Sequence, residues 1–556
     1  MKRHWSLLWS FVVLLLIPAN WVQATDYTVK AGGGGNYTTI AACVNAMSSS
    51  GGDKCTVFAG TYNENPSIRA GTAGNYNVLT VNPGDTVTIL GAAVNSHTKI
   101  SGFTIQNPSN PFTSGCVNIP LGTTDAFITS NSMAYCGGPG ATEDGMITAH
   151  DSGTSSGASF VYIQNNTLTH GCSAPGVNDV CESISINGDH YLIEGNDLSH
   201  NDDSIEFYAS YVIARNNNFH DINENECSTS GHGSNCHPDL FESEPSNVTT
   251  HASQHAMFEK NTALNEFGTN AHAVLTQADV CGGQCFGAII RFNSMAHVGS
   301  FGVIDDNAGN SSVPGFSYVK VYNNDFIDFL QGGGQDAVNG HQNNSTNGAE
   351  INNIFYFPAA IIVSPYYVDS SSSAGFRAAS NDAYCTLTCS FLGRTTIGSF
   401  IADAIGNITS NPNFVNYAAN NFHLAVGSPA IGTGTYLTTA SGSGSNSTHL
   451  TVADAWFFQD GWGFPIGTGL GQVSPDWIRI GNSTTVQIAA TGINYSTNTI
   501  TLASPVSWNN GDPVYLYKDS TGTVVLNGAN PDLGAFPFAS SQPPPNPPTG
   551  LTATVQ

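Results

Sequence analysis

The sequence predicts an all-β solenoid, a long coil of short strands, rather than three or four separate compact domains. Three observations carry this. First, one segment recurs: alternating apolar residues, a turn, an Asn, then a short apolar pair. The copies read Phe127-Ile-Thr-Ser-Asn131, Val161-Tyr-Ile-Gln-Asn-Asn166, Tyr191-Leu-Ile-Glu-Gly-Asn196 and Tyr211-Val-Ile-Ala-Arg-Asn-Asn217. They continue with Met257-Phe-Glu-Lys-Asn261, Ile289-Ile-Arg-Phe-Asn293, Val319-Lys-Val-Tyr-Asn-Asn324 and Ile351-Asn-Asn353. Successive marker asparagines lie 21 to 44 residues apart, the period of a solenoid. Second, the apolar residues within each copy alternate with period two, so the unit is built of strands; the three-to-four spacing of helices is missing. Third, only 10% of residues are charged and 60 of 556 are Gly, against roughly 25% charged in an average soluble protein. Equivalent positions of stacked coils sit about 4.8 Å apart. Like charges repel at that distance, whereas Asn amides can hydrogen-bond up the stack.

Composition also excludes functions. Hydrophobic residues make up 40% of the chain, too many for a disordered acidic tail. With 14 Lys+Arg against 40 Asp+Glu the formal charge is −26, which leaves no electrostatic footprint for nucleic acid.

The N-terminus and the cysteines set the expected compartment. Lys2, Arg3 and His4 precede the apolar run Leu7 to Ile17, Pro18 breaks it, and Val22-Gln-Ala24 offers a cleavage site. This reads as a secretory signal peptide over residues 1–24. The run is short for a membrane span, and no later segment is apolar enough to be one. The twelve cysteines are Cys43, Cys55, Cys116, Cys136, Cys172, Cys181, Cys227, Cys236, Cys281, Cys285, Cys385 and Cys389. They fall in neighbouring pairs and predict six local disulfides in an exported protein, extracellular or periplasmic. Zinc at Cys281/Cys285 or Cys385/Cys389 is the competing reading, and it lacks a second ligand pair. A monomer is expected.

The repeats resemble those of secreted right-handed parallel β-helix proteins of the pectin-lyase-like superfamily. Asn36-Tyr-Thr-Thr-Ile-Ala-Ala-Cys43, followed by Gly51-Gly-Asp53 and Val57-Phe-Ala-Gly-Thr61-Tyr-Asn-Glu64, is similar to the superfamily's N-terminal cap, where an amphipathic helix closes the coil. Lys99-Ile-Ser-Gly-Phe103-Thr-Ile-Gln-Asn107 is similar to its repeat. Asn411-Pro-Asn-Phe-Val415, Phe422-His-Leu and Gly427-Ser-Pro-Ala-Ile431 resemble a closing segment of bacterial β-helix proteins, completed by Asp532-Leu-Gly-Ala-Phe536. The resemblance implies a capped parallel β-helix over 25–435, then an inserted β-rich module and closing segment over 436–540. Pro543-Pro-Pro-Asn-Pro-Pro548 reads as part of a stiff Pro-rich tail over 541–556.

A second strand family precedes each Asn-marked strand. It runs Glu182-Ser-Ile-Ser-Ile-Asn187, Asp203-Ser-Ile-Glu-Phe-Tyr208, Asp239-Leu-Phe-Glu-Ser-Glu244, His272-Ala-Val-Leu-Thr-Gln277, Phe301-Gly-Val-Ile-Asp-Asp306 and Asp336-Ala-Val-Asn-Gly-His341. Burying Glu242 and Glu244 in an apolar core would cost several kcal/mol or more each, by roughly the price of burying an ion. Ile184, Ile205, Phe241, Val274, Val303 and Val338 are therefore placed inside. The outward columns become Ser185, Glu206, Glu242, Leu275, Ile304, Asn339 and Asn187, Tyr208, Glu244, Gln277, Asp306, His341.

Glu206, Glu242 and Glu244 thus converge on one exposed face. Crowded carboxylates suit general-acid work or a cation, and paired carboxylates cleave glycosides. Calcium, an oxygen-seeking ion, is possible at Glu206, Glu242 and Glu244; no other cofactor is expected. Asp239 and His237 are expected to assist catalysis, with His237 carried by the Cys227–Cys236 loop. Tyr208, His272, Gln277 and Asp306 are the expected substrate-binding residues. The column Tyr135, His170, His200, Asp221, Asn265, His297 and Asp328 is read as an ordinary turn position. The strand-start acids Glu182, Asp203, Asp239 and Asp336 are read likewise. Asp202-Asp203 with Gly231-His232-Gly233 is similar to polygalacturonase motifs, but that family's Asn-Thr-Asp and Arg-Ile-Lys elements are missing. A lyase resembling this fold needs a basic residue, and Arg215, Lys260, Arg291 and Lys320 lie on a different face. The expected function is cleavage of a polysaccharide by hydrolysis or elimination. The alternative is a non-catalytic surface, adhesive or glycan-binding protein.

Overall fold

The computed structural model describes residues 24–107, 115–136, 145–149, 157–171, 182–201, 203–223, 238–243, 253–267, 271–277, 285–299, 301–305, 315–329, 337–358, 364–385 and 406–538. The expected signal peptide (but for Ala24) and Pro-rich tail lie outside them, as do His232, His237, Glu244, Asp306 and six of the cysteines.

The chain is a right-handed parallel β-helix. Among the described residues, the coils add strands to a 21-stranded and a 12-stranded parallel sheet, and crossovers between parallel strands wind right-handed. The inner side chains form one continuous core, in which Ile184, Ile205, Phe241, Val274, Val303 and Val338 are all buried.

The marker asparagines hold the coils in register. In each, Oδ1 accepts the backbone N–H and the amide Nδ2–H of the Asn one coil earlier, at 2.9 and 3.0 Å for Asn217 on Asn261. The ladder runs from Asn131 through Asn166, Asn196, Asn217, Asn261, Asn293, Asn324 and Asn353 to Asn381. The column four residues later is indeed a turn position: Tyr135, His170, His200, Asp221, Asn265, His297 and Asp328 all have positive φ.

The N-terminal helix Ile40–Ala46 buries Ile40, Cys43 and Val44. Thr39 and the carboxylate of Glu64 cap its free N–H groups. The Cys43–Cys55 disulfide ties it to the strand Lys54–Val57. Cys116 and Cys136 also pair with each other, and Cys285 and Cys385 each take part in a disulfide of its own. Among the described residues, no helix is long and apolar enough to cross a membrane.

The two halves of the closing segment meet although a hundred residues separate them. Gly432 N–H donates to Asp532 Oδ1 at 2.7 Å, and Leu533 packs with Phe422, Leu424 and Ala430. Between them lies a module built on a six-stranded antiparallel sheet, from Thr438–Thr439 to Pro513–Lys518. It folds back onto the outer side of the Asn-marked strands. Phe127, Tyr162, Leu192, Ile213, Met257 and Ile289 point outward there and share one apolar cluster with the module's Phe458, Phe464, Val473 and Ile478.

The register of one strand, Ala337–His341, departs from the expected one. The outward columns were expected to run from Ile304 to Asn339 and end at His341. Instead Ile304 pairs with Gly340 and Asp305 with His341. The one-residue shift buries Asn339 and His341 completely. Both then bond Glu350, at 2.8 and 3.1 Å, so polar partners inside the coil replace the apolar ones the alternation demanded.

Candidate active site

Strand pairing builds the site. Glu206 pairs with Ser185 on one side and with Glu242 on the other, and Glu242 pairs with Leu275. Asn187 pairs with Tyr208. One turn upstream, Ser183 N–H bonds Asp203 O and Ser204 N–H bonds Asp239 O, while Asp239 bridges to His272. Two copies of Asp-x-x-Glu, Asp203–Glu206 and Asp239–Glu242, are therefore stacked on adjacent coils.

The side chains are wired together. Glu206 accepts Ser185 Oγ–H at 3.0 Å and, on its other oxygen, the Tyr208 hydroxyl. Glu242 accepts Gln277 Nε2–H at 3.0 Å. Asp239 Oδ1 accepts His272 N–H at 3.0 Å and lies 2.6 Å from His272 Nδ1. Asp203 Oδ1 accepts the Asp239 N–H at 2.9 Å. Oxygens of Asp203, Asp239 and Glu242 all lie within 4.8 Å of one another. Carboxylates this close repel, and a shared proton or a cation relieves them; oxygen-only ligands suit a hard cation.

Two expectations change here. The face was expected to be exposed, yet Glu206 and Glu242 are each only 2% accessible and Asp203, Tyr208, Asp239 and His272 are buried too. Neighbouring side chains take up the carboxylate oxygens that solvent would otherwise meet. The strand-start acids were read as turn residues, with Asp239 alone also expected at the site, but Asp203 belongs to the cluster as well. Glu244, His237 and Asp306, expected beside these groups, lie outside the described residues.

The basic residues of the Asn-marked strands are engaged elsewhere. Arg291 lies between Glu259, at 2.7 Å, and the module's Asp476, at 2.8 Å. Arg215 bonds Glu194 and the module's Ser520 and Gln472. Lys260 pairs with Asp519, and Lys320 with Asp454. They hold the module to the coil and are not free to act as bases.

The turn beside these columns carries an aromatic ladder that sequence reasoning missed. Phe160, His190, Tyr211 and His255 stack at 4.3, 4.7 and 5.0 Å. All four have positive φ, as do Gly287 and Tyr318 at the same turn of the next coils. Gly287 leaves a rung empty, and the module's Trp456 fills it. Its ring stacks on His255 at 5.3 Å and on Tyr318 at 4.5 Å. A Cβ on Gly287 would stand 2.5 Å from Trp456.

No protein-family model matches the chain, and no curated protein matches it. Solved structures similar to it include pectate lyase Pel9A at 12% identity, covering 76% of this chain and 94% of that one, with a TM-score of 0.34. Alginate lyase AlyF-OU02 in complex with G6 is 11% identical, covering 73% and 92%, with a TM-score of 0.38. The tailspike protein of E. coli bacteriophage HK620 with a pentasaccharide is 9% identical, covering 84% and 77%, with a TM-score of 0.30.

Proposed function

We propose that this chain cleaves a polysaccharide at the stacked carboxylates, with Glu206 and Glu242 as acid/base partners. The pairing of these two residues on adjacent coils carries the reading. Neighbouring strands lie about 4.8 Å apart, a spacing from which two facing side chains can bring their carboxyls to the roughly 5–5.5 Å of retaining glycosidases. Glu206, with two hydroxyl donors, suits the carboxylate role. Glu242, crowded by Asp203 and Asp239, suits the acid that protonates a leaving oxygen. Asp239 orients His272. His237, Glu244 and Asp306 are assigned to the same site from the sequence alone, and Tyr208 and Gln277 place both substrate and carboxylates.

Elimination is the second reading, favoured by one observation: Asp203, Asp239 and Glu242 could hold a calcium ion against a uronate. It needs a histidine base, because the lysines and arginines nearby are engaged. The test is incubation of the protein with neutral and uronic polysaccharides, with and without EDTA. New reducing ends without an unsaturated, ultraviolet-absorbing product are expected. The unsaturated product, lost with EDTA, identifies a lyase. Neither product across the panel would overturn the catalytic reading and leave glycan binding.

A further inference from the structure

A cleft of about 870 Å³ opens between the coil and the C-terminal module. Small-ligand pockets span about 300–1,000 Å³. The coil supplies Phe286 and Tyr318, and the module supplies Trp456 and Tyr495. Trp456 is the centre of this wall. Tyr318 and Tyr495 both lie 4.5 Å from it, and Phe286 meets it edge-on at 5.7 Å. Phe286, Tyr318 and Tyr495 keep part of their surface open.

The charges lining the cleft are already met. Lys320 Nζ lies 2.7 Å from Asp454 and also bonds the Asn347 carbonyl. Arg377 donates to the carbonyls of Tyr436 and Leu437 and stacks on the Tyr436 ring at 4.9 Å. An anionic ligand would find no uncompensated cation here. Beside the open parts of Phe286, Tyr318 and Tyr495 the cleft is lined by the neutral amides of Gln254, Asn347 and Asn498. Aromatic faces carry partial negative charge. They attract the polarised C–H groups on the flat side of a pyranose, while amides bond its hydroxyls.

We propose that this cleft binds a neutral oligosaccharide. It shares no residue with the carboxylate columns, so it stands whether or not those columns are catalytic. Its function is to hold a glycan chain on the seam where the module meets the coil.

The test titrates the full chain with cellohexaose, mannohexaose, xylohexaose and hexagalacturonate by calorimetry. Binding of at least one neutral hexasaccharide is expected. Tyr318→Ala should weaken it by about tenfold, or about 1.4 kcal/mol, whereas Tyr318→Phe and Glu242→Gln should retain it. Should Tyr318→Ala not fold, judged by circular dichroism, Phe286→Ala gives the same reading. The proposal is overturned if only hexagalacturonate binds, or if no neutral sugar binds at millimolar concentration. Wild-type affinity in a folded Tyr318→Ala protein, or loss of binding in Glu242→Gln, overturns it too.

Discussion

Two buried histidines show how a single environment sets charge. His255 lies in the aromatic ladder, and burial pushes its pKa down to about 4. It stacks as a neutral ring. His341 is buried still more completely, but Asp305 at 2.8 Å and Glu350 at 3.1 Å outweigh desolvation and raise it to about 10. Their pH signatures are opposite. His341 gains its proton more readily when folded, so its contribution is complete below about 6.5 and is lost as pH rises through about 10. His255 resists protonation when folded, so its contribution is present above about 6.5 and is lost as pH falls towards 4. His341→Gln leaves two buried carboxylates without their cation and should cost about 3–5 kcal/mol near pH 6. Urea unfolding across pH should show that gap narrowing between pH 6.5 and 10. A gap independent of pH would contradict the buried ion pairs. His255→Phe should keep the stack and reduce the loss of stability in acid.

The Asn ladder and the aromatic ladder are the elements that fix the coil. Replacing Asn261 by Ala removes the acceptor of two Asn217 donors and the donor to the Ala214 carbonyl. Each buried polar group left alone costs about 1–3 kcal/mol, so Asn261→Ala should lower the unfolding free energy by about 3 kcal/mol. A loss below about 0.5 kcal/mol, the scale of a surface substitution, would show that the ladder is decorative. The Asn ladder was legible in the sequence because the Asn recurs at one place in every copy; the aromatic ladder was not, because Phe160, His190, Tyr211 and His255 share no residue type. The register at Ala337–His341 was not legible. Its Asn and His satisfy an outward polar pattern equally well, and only Asp305 and Glu350 inside the coil make burial acceptable. The module's docking face was written in the doubled apolar pairs Leu192-Ile193, Met257-Phe258 and Ile289-Ile290. Doubling means burial on both faces of a strand, and reading it as simple alternation hid the contact. Gly287 was equally silent, since an empty rung has meaning only once Trp456 is beside it.

At the scale of the molecule, coil and module are joined by shared apolar surface and by ion pairs buried in the joint. Arg291, Glu259 and Asp476 are all fully buried. Arg291→Leu leaves two carboxylates without their cation, a loss of about 3–5 kcal/mol for a broken buried pair. It should lower the melting temperature and let a protease release the module sooner; unchanged proteolysis would contradict a joint held by this cluster. The overall charge also falls into place. The acid excess is spread thinly, and two stacked Asp-x-x-Glu segments concentrate it on one face. The carboxylates were legible as a group because Glu206 and Glu242 break an otherwise uncharged column. Asp203 was not, because an acid at a strand start is ordinary until the fold brings it within reach of Glu242. The central claim is that Glu206 and Glu242 act together on a glycosidic bond. The most direct measurement is the rate of reducing-end release by Glu242→Gln against the unaltered protein, on a polysaccharide the latter degrades. The rate should fall by about 10²–10⁴-fold, the usual contribution of general acid–base catalysis, with polysaccharide binding and melting temperature close to unchanged. Release at the unaltered rate by folded Glu242→Gln protein would contradict the claim.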